Sequence, residues 1–364
     1  MRIRSSLHRY HLDLVRPLRL GRRQIDSRDG IIVRMQDDAG NESLGEVAPL
    51  PGFSKEDLSD TLAQVSLVLP EYGKSSLPNT HSEFIDQPEL LSRLDALYHS
   101  VSFGISTALF MLYSAREGRQ LHTLIRTESP NRVTVNAFLS GSREEMVARA
   151  KALHHQGYRA VKLKVGVESI EHDVETVGQI RAVLDKSVAL RLDANRRWTL
   201  EQANSFLNRV AGLDIEYIEE PINNLRMMPE LQVSTPVPIA LDESLSEYFA
   251  TGMQTRFVPA AVVLKPTLVG GWGKCLSLHK WAQSRGAKVV VSSAFESAVG
   301  MEGLMQLAAV VSEGIPCGLD TSSWFRSDLP ASSTNASAGE FTLPEGGLTF
   351  NSLNQSLLTA VANG

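Results

Sequence analysis

From Thr134 to Asp320 the chain repeats one theme eight times, short apolar runs separated by helix-length stretches. The runs are Thr134–Leu139, Ala160–Val165, Leu190–Asp193, Ile215–Glu219, Ile239–Asp242, Ala261–Lys265, Lys288–Val291 and Cys317–Asp320. Helix starts are written between them. Ser142-Arg143-Glu144-Glu145 reads as a capping box opening a helix to about Gln156, and Thr199 with Gln202 opens another. Strands alternating with helices of this size build a parallel sheet, because each crossover returns the chain to the same edge. Eight such units close the sheet, so the expected architecture is α/β, a (β/α)7β barrel of the modified TIM type over residues 131–322.

One run carries unusual charge. In Ala160-Val161-Lys162-Leu163-Lys164-Val165-Gly166 the side chains alternate, so Lys162 and Lys164 share one face and Val161, Leu163 and Val165 the other. Two ammonium groups on one apolar strand lower each other's pKa, and burial acts in the same direction. A lysine tuned toward neutrality serves as a general base. A lone K-x-K is better explained by an edge strand with solvated lysines.

The neighbouring runs change that balance. Lys164, Asp193, Glu219, Asp242 and Lys265 each end a strand and follow one another at intervals of 23 to 29 residues, about one βα unit. Each therefore takes the same place on the next step of the barrel, at the C-terminal rim where barrel enzymes carry their active sites. Three carboxylates gathered there repel unless a cation joins them. An all-oxygen set suits Mg²⁺, with Mn²⁺ as substitute and with water or substrate in the remaining positions. Salt bridges explain any one of these residues taken alone, but not five in register.

Residues 1–130 have a different texture. Ile31–Met35 and Leu44–Val47 read as a hairpin across the Asp37–Asn41 turn, Ser54 as the cap of a helix to about Leu69, and Ser102–Glu117 as a more apolar helix. This is an α+β unit. Its Arg16–Arg23 stretch reads as a basic loop, equally a solvated surface or a lid over an anionic ligand. Ala331–Ala338 is rich in serine and alanine and reads as a connection, and Phe341–Leu348 as a last strand returning to the first unit.

A chain of 364 residues, 43% hydrophobic with net charge −5, gives no reason to expect a nucleic-acid or anionic-membrane partner. Its two cysteines, Cys275 and Cys317, make neither a disulfide framework nor a zinc set. No run approaches a membrane span and no apolar signal segment follows the basic start, so the expected location is cytoplasmic. Oligomeric state is not readable from these features.

The motifs K-x-K at Lys162 and Lys164, D-A-N at Asp193–Asn195, E-E-P at Glu219–Pro221, D-E-S at Asp242–Ser244 and K-P at Lys265–Pro266 resemble the enolase superfamily. Lysines on both flanks resemble its muconate-lactonizing subgroup; mandelate-racemase-like members place a histidine base opposite the lysine, and none stands there. Gly45–Ser54, Ser100–Gly104, Leu190–Arg196, Ser292-Ser293 with Glu296-Ser297, and Gly318–Thr321 resemble the o-succinylbenzoate synthase branch of bacterial menaquinone biosynthesis. The resemblance covers residues 2 to about 325. It implies that residues 1–130, with part of 323–364, cap the barrel. It also implies Mg-dependent dehydration of 2-succinyl-6-hydroxy-2,4-cyclohexadiene-1-carboxylate, a small carboxylate, through α-proton abstraction. Asp193, Glu219 and Asp242 would hold the metal, Lys164 would be the base with Lys162 tuning it, and Lys265 the opposing cation. Asn195 and Arg191 would support the ligands. Ser292 and Ser293 are equally substrate binders or a capping pair. Gly318 joins them as a substrate-binding candidate, and Phe53 would roof the pocket. Gly270-Gly271 reads as a tight turn, with close approach to substrate as the lesser reading. The same scaffold supports N-acylamino acid racemisation or dipeptide epimerisation, but the D-x-D pair of the epimerases is replaced here by Asp320-Thr321-Ser322.

Overall fold

The computed structural model describes residues 2–20, 23–74, 78, 80–85, 87–330 and 336–361. The chain opens with a long antiparallel hairpin of β1 (Ile3–Leu20) and β2 (Arg23–Asp37), and β2 then pairs with β3 (Glu42–Val47). The Asp37 carboxylate closes the turn by accepting from the Ala39 and Asn41 amides, both at 2.9 Å. The segment expected as a basic loop is therefore strand for most of its length: Arg16–Leu20 end β1 and Arg23 begins β2, while Gly21 and Arg22 lie outside the described residues. The pairing shifts register between Asp13 and Leu18, which accommodates Pro17, a residue with no N–H to give the ladder.

Helix His99–Glu117 packs against β3 at a close glycine contact. A Cβ on Gly45 would lie 2.0 Å from the Gly104 carbonyl, and one on Gly104 would lie 2.5 Å from Val47 Cγ2. Only two bare Cα atoms let helix and strand approach this far. Gly45→Ala is expected to lower the unfolding free energy by about 1–3 kcal/mol through forced repacking, read as a shift of the urea midpoint. Gly178→Ala, mid-helix with nothing near its added methyl, should leave the midpoint unchanged or raise it. An unshifted Gly45→Ala would show that the contact is not tight.

Seven parallel strands make the barrel, in the order β11-β10-β9-β8-β7-β6-β5. They are β5 (Ala137–Leu139), β6 (Ala160–Lys164), β7 (Ala189–Asp193), β8 (Ile215–Glu219), β9 (Ile239–Leu241), β10 (Ala261–Leu264) and β11 (Lys288–Val291). The expected eighth strand is reduced to two bridging residues. The Cys317 amide donates to Thr134 O at 2.8 Å and the Gly318 amide to Val291 O at 2.9 Å, so this segment joins the two edges. The expected first strand is divided: β4 (Arg132–Thr134) pairs with β12 (Glu340–Thr342), and β5 enters the barrel. The Phe341–Leu348 expectation is thus corrected. Pro344, Gly346 and Gly347 end the strand early, and β12 returns to the barrel's start. The strand that rejoins the first sheet is β13 (Leu358–Ala360), paired with β1 through His8–Ala360. Part of the Ser/Ala-rich connection, 331–335, lies outside the described residues.

Helix 99–117 also docks on the barrel. The Gly271 amide donates to Ser102 Oγ at 3.0 Å and the Trp272 amide to Ser106 Oγ at 3.2 Å, so two serines of one helix cap the start of another. A Cβ on Gly271 would strike both hydroxyls, which explains the glycine by close approach of a helix rather than of a ligand. Ser54 is likewise reassigned. It accepts from the Leu50 amide at 2.9 Å and closes the Pro51–Phe53 turn, and the helix begins later, at Leu58. Among the described residues no helix is long and apolar enough to cross a membrane.

Candidate active site

The parallel register stacks the polar residues in layers. Lys164 stands opposite Asp193 and Asp193 opposite Glu219; one layer below, Lys162 stands opposite Arg191 and Arg191 opposite Tyr217. Asp242 and Lys265 step off the ends of β9 and β10 at the same rim. The interior beneath is filled by Tyr217, Ala240, Ala261, Val263 and Val290, so the site has a packed floor.

The charges pair, Lys162 reaching up from the lower layer to the carboxylates above it. Lys162 Nζ donates to Glu219 Oε2 at 2.9 Å and lies 3.4 Å from Asp193 Oδ2, so one cation touches two carboxylates. Lys265 pairs with Asp242. Among the described residues, Lys164 has no such partner. Burial would lower Lys162, but Glu219, Asp193 and Asp242 outweigh it and hold its pKa well above the usual value. Lys265 is held up in the same way by Asp242 and Glu243. Lys164 moves downward, first through burial, then through Arg197 and Lys162 against the pull of Asp193. The mutual lowering expected of the two strand lysines therefore operates on Lys164 alone, and Lys162 is its lesser neighbour after Arg197. Burial raises the Glu219 carboxyl to about 7. Burial also pushes Asp193 up, but Lys162, Lys265 and Lys164 bring it below the ordinary carboxylate value.

Around this layer lie Glu220 and Glu243, which the motif spacing does not single out, and the expected Asn195. Glu220 is buried; its carboxylate accepts from the Asp242 amide at 2.7 Å and the Ser244 amide at 2.9 Å, fixing the loop that carries Asp242. Asn195 donates from its backbone amide to Asp193 Oδ1 at 3.1 Å and from its side chain to Glu243 Oε1 at 2.9 Å. Asn195, Arg196 and Glu220 all have positive φ, 43°, 60° and 45°, so the chain leaves two adjacent strand ends by sharp left-handed turns. The second acidic letters of E-E-P and D-E-S were the available sequence signal for Glu220 and Glu243.

Other expected residues fall elsewhere. Arg191 does not bond Asp193: it donates to Glu216 at 2.6 Å, Pro316 O at 2.6 Å and Asn136 at 3.2 Å, and stacks 5.0 Å from the Tyr217 ring. It belongs to the floor because strand alternation puts it a full layer below Asp193. Ser293 donates to Glu296 at 2.7 Å and accepts from the Phe295 amide at 2.8 Å, so its hydroxyl holds the rim loop together. Among the described residues the Ser292 hydroxyl makes only a long contact with the Gly318 carbonyl, 3.4 Å. A Cβ on Gly318 would meet the Ser292 hydroxyl at 2.6 Å, so Gly318 keeps room for that serine. Phe53, Leu268, Phe295 and Trp324 all pack against one apolar cluster that includes Leu14, Leu50, Ala294 and Phe325 and joins the first sheet to loops following barrel strands. Arg16 lies over Trp324, 4.2 Å from its ring centroid, which places the basic hairpin against the same cluster. Asp320 accepts from Tyr158 at 2.8 Å.

The donor set is of the right chemistry for a hard divalent cation: three buried carboxylates at successive strand ends, two of them already joined by one ammonium group. Buried and unpartnered oxygens on Asn195 and Glu243 stand beside them. Among the described residues no three His, Cys, Asp or Glu side chains form a finished coordination shell, and Lys162 and Lys265 occupy the carboxylate oxygens instead.

Comparison with known proteins adds ancestry to this geometry. Residues 145–352 match the enolase C-terminal domain-like family, and residues 1–112 match the MenC N-terminal domain. The chain is 33% identical over 341 residues to the o-succinylbenzoate synthase of Haemophilus influenzae, covering 89% of this chain and 94% of that one. It is 28% identical over 354 residues to the o-succinylbenzoate synthase of Vibrio cholerae, covering 96% and 98%. In structure it is similar to the L-Ala-D/L-Glu epimerase of Bacillus subtilis, with TM-score 0.82, 22% identity and coverage of 94% and 97%. It is equally similar to the muconate lactonizing enzyme of Pseudomonas fluorescens, with TM-score 0.81, 21% identity and coverage of 95% of each chain. These structural likenesses speak for the fold.

Proposed function

Since the chain belongs to the o-succinylbenzoate synthase family of the enolase superfamily, a family of lyases, we propose that it aromatises 2-succinyl-6-hydroxy-2,4-cyclohexadiene-1-carboxylate to 2-succinylbenzoate by loss of water. The observation that carries the mechanism is the division of labour among three lysines. Lys162 and Lys265 are paired with carboxylates and kept cationic, whereas Lys164 is lowered toward neutrality and, among the described residues, free of partners. Such a lysine can take a proton from carbon, and removing the proton α to the carboxylate is the difficult step. Lys164 then returns that proton to the departing hydroxyl on the same face, so one residue acts as base and acid. Lys265 stabilises the enediolate by charge and, as the ring becomes aromatic, by cation–π contact. Asp193, Glu219 and Asp242 would hold a divalent cation, Mg²⁺ by donor type, which when bound supplies charge opposite the substrate carboxylate. Glu220 and Asn195 keep these carboxylates oriented.

Within this reading residues 1–130, together with part of 323–364, form the cap, and residues 131–322 the barrel. The pairing of β13 with β1 and the bridge from Leu14 to Phe325 support a tail that returns to the cap. A second reading is racemisation of N-acylamino acids or epimerisation of dipeptides, the latter being the activity named for structural neighbours that share this fold. Against it, the carboxylate of Asp320 is taken by the Tyr158 hydroxyl.

Purified protein supplied with the cyclohexadiene acid and Mg²⁺ is expected to raise the aromatic absorbance far faster than it racemises any N-acylamino acid. Excess chelator should remove that turnover and added Mg²⁺ restore it. Full turnover in chelator would mean that the three carboxylates serve another purpose.

A further inference from the structure

Arg28, on β2, is 1% exposed and gives all its guanidinium nitrogens to main-chain carbonyls. Nε donates to Phe295 O at 3.0 Å, Nη1 to Pro49 O at 2.9 Å and Nη2 to Ala48 O at 3.0 Å. Among the described residues no carboxylate lies within ion-pair distance of it. Burying a guanidinium on neutral acceptors is costly, and an apolar side chain would fill the same volume at less expense. The residue is better explained by what it connects. Ala48 and Pro49 begin the loop that carries Phe53, and Phe295 stands on the loop after β11, beyond Ser293 at the barrel rim.

Phe295 is itself strained. Its φ of 61° is rare for a bulky side chain, and it is held by the bond from Arg28 to its carbonyl and by its amide donating to Ser293 Oγ at 2.8 Å. That conformation turns its ring against Trp324, 5.6 Å away at 81°, in the cluster that includes Phe53 and Leu268. Leu268 lies on the short helix Pro266–Val269 that follows Lys265, its amide donating to the Lys265 carbonyl at 2.7 Å, so the cluster reaches the loop that carries Lys265.

We propose that Arg28 is a positioning residue, a latch that fastens the cap loop at Ala48–Phe53 to the rim loop at Ser293–Ser297 and so holds the aromatic roof over the bound substrate. It touches no reacting atom. The substrate named in the test rests on the aromatisation reading above; the latch itself does not. A fixed three-pronged fork is needed, which a lysine cannot supply.

The test compares Arg28→Met, Arg28→Lys and Phe295→Gly in the full chain. Phe295→Gly removes the ring while relieving the left-handed strain. All three are expected to raise KM for the cyclohexadiene acid roughly tenfold and to change kcat by less than about threefold, the pattern of lost binding rather than lost chemistry. Phe295→Gly added to Arg28→Lys should raise KM little further, because both act on one roof. Amide hydrogen exchange should quicken at 48–53 and 293–297 in both Arg28 variants and stay unchanged at 160–166. Unchanged exchange at the two loops, or a fall in kcat with KM constant, would overturn the latch. If the native protein does not aromatise the acid, the aromatisation reading falls, and the exchange data still decide the latch. If Arg28→Met does not fold, Arg28→Lys and Phe295→Gly carry the same comparison.

Discussion

Lys164→Ala is expected to slow aromatisation by roughly 10²–10⁴-fold, the usual worth of a positioned base, while the protein stays folded. The second half of that expectation follows from geometry. Among the described residues the Lys164 amine has no hydrogen-bond or ion-pair partner, so its loss leaves no buried carboxylate uncompensated. Lys162→Ala is different: it strips the cation from between Asp193 and Glu219 and should reduce stability as well as rate. The pH profile supplies a second check. The base works deprotonated, so kcat/KM should fall as pH drops through the Lys164 pKa. That pKa lies below the usual lysine value because of burial, then Arg197 and Lys162. Lys164→Arg keeps the charge but cannot give up its proton, and should be as inactive as alanine. Circular dichroism and single-turnover rates separate the two variables. A Lys164→Ala protein that is folded and still within tenfold of the native rate would exclude this residue as the base.

What the sequence made legible was whatever rests on period-two alternation and on one residue per βα unit. Lys164, Asp193 and Glu219 stand opposite one another in register, as one residue at the end of each βα unit requires. Arg191 shares the face of Asp193 as alternation requires, but two residues of strand rise set it at the floor, where it bonds Glu216 and Pro316 rather than the ligands. The Cys317–Asp320 run has the length and texture of a strand, whereas only Cys317 and Gly318 are needed to join Thr134 to Val291. Long-range bonds left no local signal. Arg28 and Phe295 are separated by 267 residues, and neither neighbourhood announces the other. Ser54 and Ser293 show the same limit at short range, since a serine that closes a turn and one that caps a helix look alike in sequence.

The opposing lysine decides between the two enzymatic readings. Dehydration with removal and return of the proton on one face asks Lys265 only for charge; racemisation asks it to carry a proton in turn. Burial would lower Lys265, but Asp242 and Glu243 outweigh that and hold it protonated, which suits the first task. Lys265→Ala is expected to slow aromatisation by roughly 10²–10³-fold through lost electrostatic stabilisation. Lys265→Arg should recover much of that loss, because a guanidinium supplies the same charge across the ring and pairs with Asp242 in its place. Neither variant should remove proton exchange at the substrate α-carbon in D₂O out of proportion to its effect on aromatisation, whereas Lys164→Ala should abolish exchange. A racemase predicts the opposite series: arginine no better than alanine, and proton transfer on the Lys265 face lost with either. Equal loss in both Lys265 variants, with N-acylamino acid racemisation the faster native reaction, would replace the dehydratase reading by the racemase.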